Sequence, residues 1–258
     1  MDCKTIRIRD YVIKGDTIIS SPILKGSIKK AIGVGSLSSF DGVFTDEKII
    51  VQSGIAAITL AKIGNISEAY EILKNKLQNN KEYSIDEICS IVFEVIDEYF
   101  GNFENTNKRL SFYTDEDFIE SEDDYGKISD LKGKSSAMCV ERAALAQNLL
   151  KSLGINSIFK SSRVTVNGKR DAHAYNLVEY EGKYYIFDST IPTLKNDKIN
   201  PLITEIPQEA FASMSMPIFD GFSIEVSHYN PLMNMDYNII YDYGNEKFLN
   251  VDQVNKKM

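Results

Sequence analysis

Residues 133–190 of the chain read GKSSAMCVERAALAQNLLKSLGINSIFKSSRVTVNGKRDAHAYNLVEYEGKYYIFDST. From Cys139 to residue 153 nearly every residue favours a helix, and Gly154 follows as a helix stop. Three segments with strand-like alternation come next, at 155–166, 172–180 and 183–188. Two glycine-containing turns separate them, at 167–168 and 181–182. The stretch therefore predicts a helix followed by three antiparallel strands, which is an α+β arrangement.

Cys139 is the first residue of the predicted helix. The unpaired N–H groups and the macrodipole at a helix N-terminus favour a thiolate over a thiol. Two serines, Ser135 and Ser136, lie just upstream, where a side chain can cap the helix or help to hold an oxyanion. The placement predicts that Cys139 is a nucleophile, with Ser135 and Ser136 as candidates for the cap or for the oxyanion site.

The last two strands bring a histidine close to an aspartate. If the Glu-Gly pair at 181–182 forms a two-residue turn, the register places Asp188 opposite Tyr175. Side chains two residues apart share a face, so His173 is the diagonal neighbour of Asp188. A carboxylate bonded to one imidazole nitrogen orients the ring and stabilises the imidazolium. The register predicts a catalytic triad with Cys139, and Tyr175 as a substrate-binding side chain on the same face.

Each member of this set also has a structural interpretation when it is taken alone. Cys139 can be a small buried helix residue, His173 a core histidine and Asp188 a turn former at the end of a strand. All three occur in the one segment where a helix N-terminus and a hairpin register bring them together, and this favours the catalytic interpretation. His228 stands alone in a predicted proline-flanked loop, and we interpret it as structural.

The segment resembles the core of the transglutaminase-like superfamily of cysteine enzymes. The resemblance lies in the helix that begins at Cys139 and ends in LLKSLGI, in the His-Ala-Tyr-Asn sequence at 173–176, where the family commonly has His-Ala-Trp-Asn, and in YYIFDST at 184–190. Cys, His and Asp follow one another in the family's order. The resemblance implies a papain-like fold, in which the Cys helix packs on an antiparallel sheet, with catalytic roles on Cys139, His173 and Asp188.

The resemblance also implies a reaction, namely acyl transfer at an amide of a protein or peptide substrate through a thioester. Hydrolysis by a peptidase, amidase or deamidase is the outcome we expect, without a cofactor. Some relatives stabilise the oxyanion with a tryptophan, and this chain has none, so the backbone N–H of Cys139 and a group near Ser135 or Ser136 take that role. Two alternatives stay open: transfer to an amine acceptor, and a non-catalytic protein-binding module that retains the fold.

The rest of the chain is predicted to support this core. Residues 1–104 form a mixed strand and helical region that supports the site or recognises the substrate, and residues 105–258 contain the transglutaminase-like core. The acidic run within 115–124 predicts a surface loop or linker, with a lid over the site as the alternative.

Local patterns predict the elements of the N-terminal region. Runs rich in β-branched residues predict strands at 5–8 and 17–19. Periodic apolar residues predict a helical hairpin over 55–77. Ser84 and Glu87 have the spacing of a capping box, and Gly101 follows an apolar stripe, so a helix is predicted between them.

Composition excludes several classes of function. The chain has 258 residues, with 29 Lys and Arg against 37 Asp and Glu, and this acidic balance offers no attraction for nucleic acid or for an anionic membrane. Three widely spaced cysteines predict free thiols in a reducing compartment, so we expect a cytoplasmic protein. The charged start and the interrupted apolar stretch at 49–63 predict neither a signal peptide nor a membrane span. Two histidines and no Cys-x-x-Cys pair predict no metal site.

Overall fold

The computed structural model describes residues 5–8, 11–14, 17–20, 38–45, 63–78, 81–101, 127–195, 197–215, 223–242 and 248–250. These residues form helices and a mainly antiparallel sheet, so the predicted α+β class is confirmed. Within these ranges no helix has the length and apolar character that crossing a membrane requires. The first helix of the predicted hairpin and the acidic run at 115–124 lie outside the described residues.

A small antiparallel sheet lies within residues 5–20. Its strands pair in chain order and are β1 (Thr5–Ile8), β2 (Tyr11–Lys14) and β3 (Thr17–Ser20). The strands predicted at 5–8 and 17–19 are therefore confirmed. The pattern did not predict β2, which lies between them.

Eight strands among the described residues form the main sheet. They are β4 (Ser38–Phe40), β5 (Asn156–Val166), β6 (Lys169–Tyr180), β7 (Lys183–Lys195), β8 (Lys198–Ile206), β9 (Ser223–Asn230), β10 (Met235–Asp242) and β11 (Phe248–Asn250). Their order is β11-β9-β10-β5-β6-β7-β8, with β4 paired to β5. Neighbours are antiparallel except β11 and β9. Strands β7 and β9 also contact each other although three strands separate them in this order, because the sheet curls.

The predicted hairpin register is confirmed. Strands β5 and β6 meet at Val166 and Lys169, and β6 and β7 meet at Tyr180 and Lys183, so each turn has two residues. All four turn residues have positive φ, from 48° to 80°, as tight hairpin turns of this length require.

The α-helices of the described residues are α1 (Ser67–Lys76), α2 (Ile85–Phe100), α3 (Cys139–Ser152) and α4 (Gln208–Ser215). The predicted capping box of α2 is present: the Glu87 N–H donates to Ser84 Oγ at 3.3 Å, and the Ser84 N–H donates to Glu87 Oε2 at 2.9 Å. Gly101 ends α2 with a φ of 83° and a ψ of 160°, a conformation that glycine adopts far more readily than other residues. A Cβ at Gly101 would lie 2.6 Å from Ser135 Oγ, so glycine also permits the close approach of the segment that leads to α3.

Separate hydrophobic cores cover the two faces of the main sheet. Helices α1, α2 and α3 pack on one face, in a core that also contains Phe44, Phe159 and Phe187. Residues on both sides of the predicted boundary at 104 therefore share this core. The opposite face buries a second cluster, to which α4 contributes Phe211 and β10 contributes Tyr241.

Candidate active site

Cys139 lies at the N-terminus of α3, as predicted, and only 8% of its surface is exposed. The N-cap residue is Met138, whose N–H donates to Glu141 Oε2 at 2.8 Å. The Glu141 carboxylate therefore accepts the N–H of the N-cap residue, and the prediction that Ser135 or Ser136 caps the helix is wrong. Both serines lie too far upstream to reach the first turn as the N-cap residue does.

The two serines differ in their surroundings. Ser135 has a φ of 52°, and its N–H donates to the Phe100 oxygen at 2.8 Å, so it packs against the end of α2. Ser136 is 2% exposed, and its Oγ has no hydrogen-bond partner among the described residues. A buried hydroxyl without a partner is costly and therefore uncommon in a folded protein. The oxyanion role of these serines stays a prediction.

His173 and Asp188 are in contact, as the predicted register requires. His173 Nε2 lies 2.5 Å from Asp188 Oδ2, with side chains that are 10% and 0% exposed. The pairing of β6 with β7 ends at Asn176 and Phe187, one residue before the aspartate. Past this point the two strands are no longer hydrogen-bonded to each other, and the diagonal pair of side chains spans the space between them.

Three further donors hold the Asp188 carboxylate. The N–H and Oγ1 of Thr190 donate to Oδ1 at 3.0 Å and 2.7 Å, and the Tyr241 hydroxyl donates to Oδ2 at 2.9 Å. The sequence interpretation missed both residues. Thr190 has the two-residue spacing of an Asx turn, which is a usable local signal. Tyr241 has no such signal, because it is distant in sequence and reaches the site through the curl of the sheet.

The ionisable groups favour a charged pair. Burial lowers the pKa of His173, but the charge of Asp188, the hydrogen bond to it and a hydrogen bond with Cys139 outweigh burial and raise this pKa to about 10. Burial raises the pKa of Asp188, yet the imidazolium and the Thr190 donors hold it below its usual value. An imidazolium beside a carboxylate is therefore the stable state at neutral pH. Since Nε2 contacts Asp188, Nδ1 is the nitrogen left for the thiol.

Polar side chains also fix α3 against the sheet. Arg142, whose side chain is 3% exposed, pairs with Asp97 of α2 and donates from Nε to the Ser189 oxygen at 3.0 Å. Asn176 Nδ2 donates to the Ala143 oxygen at 3.1 Å. Asn176 therefore faces α3, on the face of β6 opposite to His173. These bonds join the helix of the cysteine to the strands of the histidine and the aspartate.

Tyr175 does not have the predicted exposure to substrate. Its side chain is fully buried in the second core, and its hydroxyl accepts a hydrogen bond from Ser162 Oγ at 3.3 Å. Its ring stacks on His173 with 6.1 Å between centroids and packs edge-on against Tyr241 at 4.8 Å. The prediction of substrate contact is therefore wrong, because a second layer of the protein covers this face. Tyr175 supports the imidazole ring instead.

His228 lies in β9, opposite Tyr237 of β10, and its ring packs edge-on against that tyrosine. The prediction of a loop here is wrong, because His228 pairs with Tyr237 within the sheet. Burial lowers the pKa of His228, and the charge of Asp188 and the Pro192 backbone offset part of this shift. In the described part of the chain no three His, Cys, Asp or Glu side chains are grouped closely enough to hold a metal ion.

No family model matches this chain, and no curated protein matches it significantly. The functional interpretation therefore depends on the arrangement of Cys139, His173 and Asp188. In that arrangement a thiol at a helix N-terminus interacts with an imidazole, and a buried carboxylate contacts the same imidazole. Such a group can carry out nucleophilic catalysis on a carbonyl compound.

Proposed function

We propose that this protein is a transglutaminase-like cysteine hydrolase with a papain-like core, acting on amide bonds of a protein or peptide. The observation that carries the proposal is the 2.5 Å contact between His173 Nε2 and Asp188 Oδ2 beside a cysteine that begins a helix. A histidine with a purely structural role does not need a thiol beside one ring nitrogen and a carboxylate beside the other. The combination is what acyl transfer through a thioester requires.

In the acylation step the Cys139 thiolate attacks the amide carbon, a C–S bond forms and the carbonyl electron pair moves to oxygen. Backbone N–H groups at the start of α3 stabilise this oxyanion, since the first turn of a helix leaves such donors unpaired. His173 then gives the Nδ1 proton to the leaving nitrogen as the C–N bond breaks. The products of the step are an amine or ammonia and a thioester on Cys139.

In the deacylation step His173 takes a proton from water, and the oxygen attacks the thioester carbon. The C–S bond breaks, a carboxylic acid leaves, and Cys139 returns as a thiolate beside the imidazolium. Asp188 stays ionised throughout, because Thr190 and Tyr241 donate to its oxygens. Its role is to orient the ring and to stabilise its charged form.

The rate of iodoacetamide alkylation at each cysteine, followed by peptide mass spectrometry against pH, tests the nucleophile. The variants are His173→Ala and, as a matched control, His228→Ala, which removes the other histidine. Cys89 is an internal reference, because it is fully buried and burial raises its pKa. We expect Cys139 to react fastest and to lose this reactivity in His173→Ala alone. Labelling of Cys139 that does not respond to His173→Ala would overturn the proposal.

Products then distinguish hydrolysis from transfer. Incubation of an active preparation with a glutamine-containing peptide, with and without an added primary amine, is followed by mass spectrometry. We expect the acid product in both samples. A product that carries the amine in place of the acid would assign the chain to the amine-accepting class.

A further inference from the structure

Tyr241 reaches the site from a distant part of the fold. Its strand, β10, is separated from β7 by β5 and β6 in the order of the sheet. Even so, the Tyr241 hydroxyl lies 2.9 Å from Asp188 Oδ2, because the curl of the sheet brings its two halves together around the second core. The C-terminal part of the chain thus contributes a direct hydrogen bond to the carboxylate that contacts His173.

The Tyr241 hydroxyl bonds the same carboxylate oxygen of Asp188 that contacts His173. Asp188 Oδ2 accepts from Tyr241 and also contacts His173 Nε2, whereas Oδ1 accepts both bonds from Thr190. The carboxylate is fully buried, so water does not reach it in place of these donors. The phenol is a donor at every pH in the working range, since burial and the charge of Asp188 raise the pKa of Tyr241 well above 10.

The tyrosine is also held rigidly. Its side chain is fully buried, and its ring packs against Tyr175, which in turn stacks on His173. A donor that is fixed by packing restricts the rotation of the carboxylate more than a mobile one does. The geometry therefore couples the orientation of Asp188 to the packing of the second core.

We propose that Tyr241 is a positioning residue. Its hydroxyl keeps the Asp188 carboxylate ionised, fixes the orientation of this carboxylate toward His173 and weakens its electrostatic attraction for the imidazolium. The proposal rests on the proposed function, in which His173 acts as acid and then as base. Without the phenol, Asp188 Oδ2 loses a donor that offsets its negative charge, and it attracts the imidazolium more strongly. The imidazolium is then more stable and gives up its proton less readily.

Other titratable groups lie near the pair or beside Tyr175, and none of them is altered by the substitution itself. Cys139 of α3 contacts His173, and Asp188 interacts with the charge of His228 of β9. Lys160 of β5, fully buried, is the cross-strand partner of Tyr175 in β6. These groups are present in both wild type and Tyr241→Phe, so the difference between the two titrations reports the effect of removing the Tyr241 hydroxyl.

The test is an NMR titration of His173, which is practical because the chain has two histidines and His228→Gln assigns the signals. In Tyr241→Phe we expect the His173 pKa to rise by about one unit, as hydrogen bonds to charged groups imply. Tyr99→Phe is the matched control, because it removes a phenol of similar burial that donates to the Asn65 oxygen of another part of the fold. An unchanged His173 pKa in Tyr241→Phe would overturn the proposal.

A second substitution preserves the packing. With 3-fluorotyrosine at position 241 the phenol becomes a stronger donor, so we expect the His173 pKa to fall rather than rise. A shift of the same sign as in Tyr241→Phe would assign the effect to repacking and overturn the proposal. The His173 pKa is measured without an activity assay. If the pKa shifts are present but the Cys139 alkylation test fails, only the proposed hydrolase function is overturned. Alkylation without the shifts would overturn only the role of Tyr241.

Discussion

The Nε of Arg142 donates a hydrogen bond to the Ser189 oxygen at 3.0 Å, one residue beyond Asp188. Arg142 lies one turn after Cys139 in α3, so this bond connects the helix of the nucleophile with the strand of the carboxylate. The guanidinium is almost completely buried and also pairs with Asp97 of α2. One side chain therefore fixes three elements around the candidate site.

Removing one charge of the pair of Arg142 and Asp97 is expected to destabilise the protein more than removing both. Asp97→Ala leaves a buried guanidinium without its counter-ion, and we expect a loss of about 3 kcal/mol in the free energy of unfolding. The double variant with Arg142→Met removes both charges and should recover part of this loss. Urea denaturation of both variants gives the comparison. A double variant that is less stable than Asp97→Ala would contradict the argument.

Local rules were sufficient for the helix and hairpins of residues 133–190. The Glu-Gly pair at 181–182 adopts the two-residue turn that its type favours, and this alone sets Asp188 diagonal to His173. Cys139 begins its helix, because helix-forming residues start there. The contact between His173 and Asp188 was predictable because only fifteen positions of sequence separate them and one hairpin turn sets their register.

Features that depend on distant contacts were not predictable. Tyr175 alternates as a half-exposed strand residue would, yet α4 and the later strands cover it with a second core. Tyr241 reaches Asp188 across 53 positions of sequence, through a curl that no turn signal encodes. The helix cap falls to Glu141 rather than to Ser135 or Ser136, because a carboxylate three residues inside can reach back to the N-cap N–H.

Removal of the Asp188 charge is expected to shift the pH limit of the enzyme. In Asp188→Asn the imidazolium loses its counter-ion while burial remains, so the His173 pKa falls. Acylation needs the imidazolium, and the alkaline limit of hydrolysis, expected near pH 10 in wild type, should move to lower pH. The maximal rate should fall roughly 10²-fold or more. A pH–rate profile checks both effects, and an alkaline limit that does not move would contradict the assignment of His173.

The same group links stability to pH. The pKa of His173 rises on folding from 6.5 to about 10, so its contribution is complete below pH 6.5 and is lost as the pH rises toward 10. We expect this decline in the free energy of unfolding to be weaker in Asp188→Asn. Denaturation curves across this range measure the slope, and equal slopes in the two proteins would argue against the ion pair.

Ser136→Ala tests the unpartnered buried hydroxyl. Because Ser136 Oγ makes no hydrogen bond within the described structure, we expect the free energy of unfolding to stay the same or to rise by up to about 1 kcal/mol. The rate of hydrolysis should fall roughly 10²-fold if the hydroxyl donates to the oxyanion, since such a bond exists only in the transition state. Ser135→Gly, which suits a φ of 52°, tests the other candidate serine in the same way. An unchanged rate in Ser136→Ala would assign the second donor elsewhere.

Lys160 is expected to lower the stability of the protein below alkaline pH. Its side chain is fully buried in β5, and burial lowers its pKa from 10.5 to about 7. The unfolded chain binds this proton more tightly than the folded chain, so the free energy of unfolding rises as the pH increases from about 7 to 10.5. We expect Lys160→Met to remove this slope and to gain about 2 kcal/mol at about pH 6.

Lys160→Arg is the matched variant, because a guanidinium keeps its charge throughout the range. It should be the least stable of the three proteins at high pH, where the wild-type lysine is neutral and the methionine has no charge to bury. Urea denaturation at several pH values separates the three curves. If Lys160→Met is instead less stable than wild type at about pH 6, the surroundings stabilise the ammonium more than burial destabilises it, and the sign of the slope reverses.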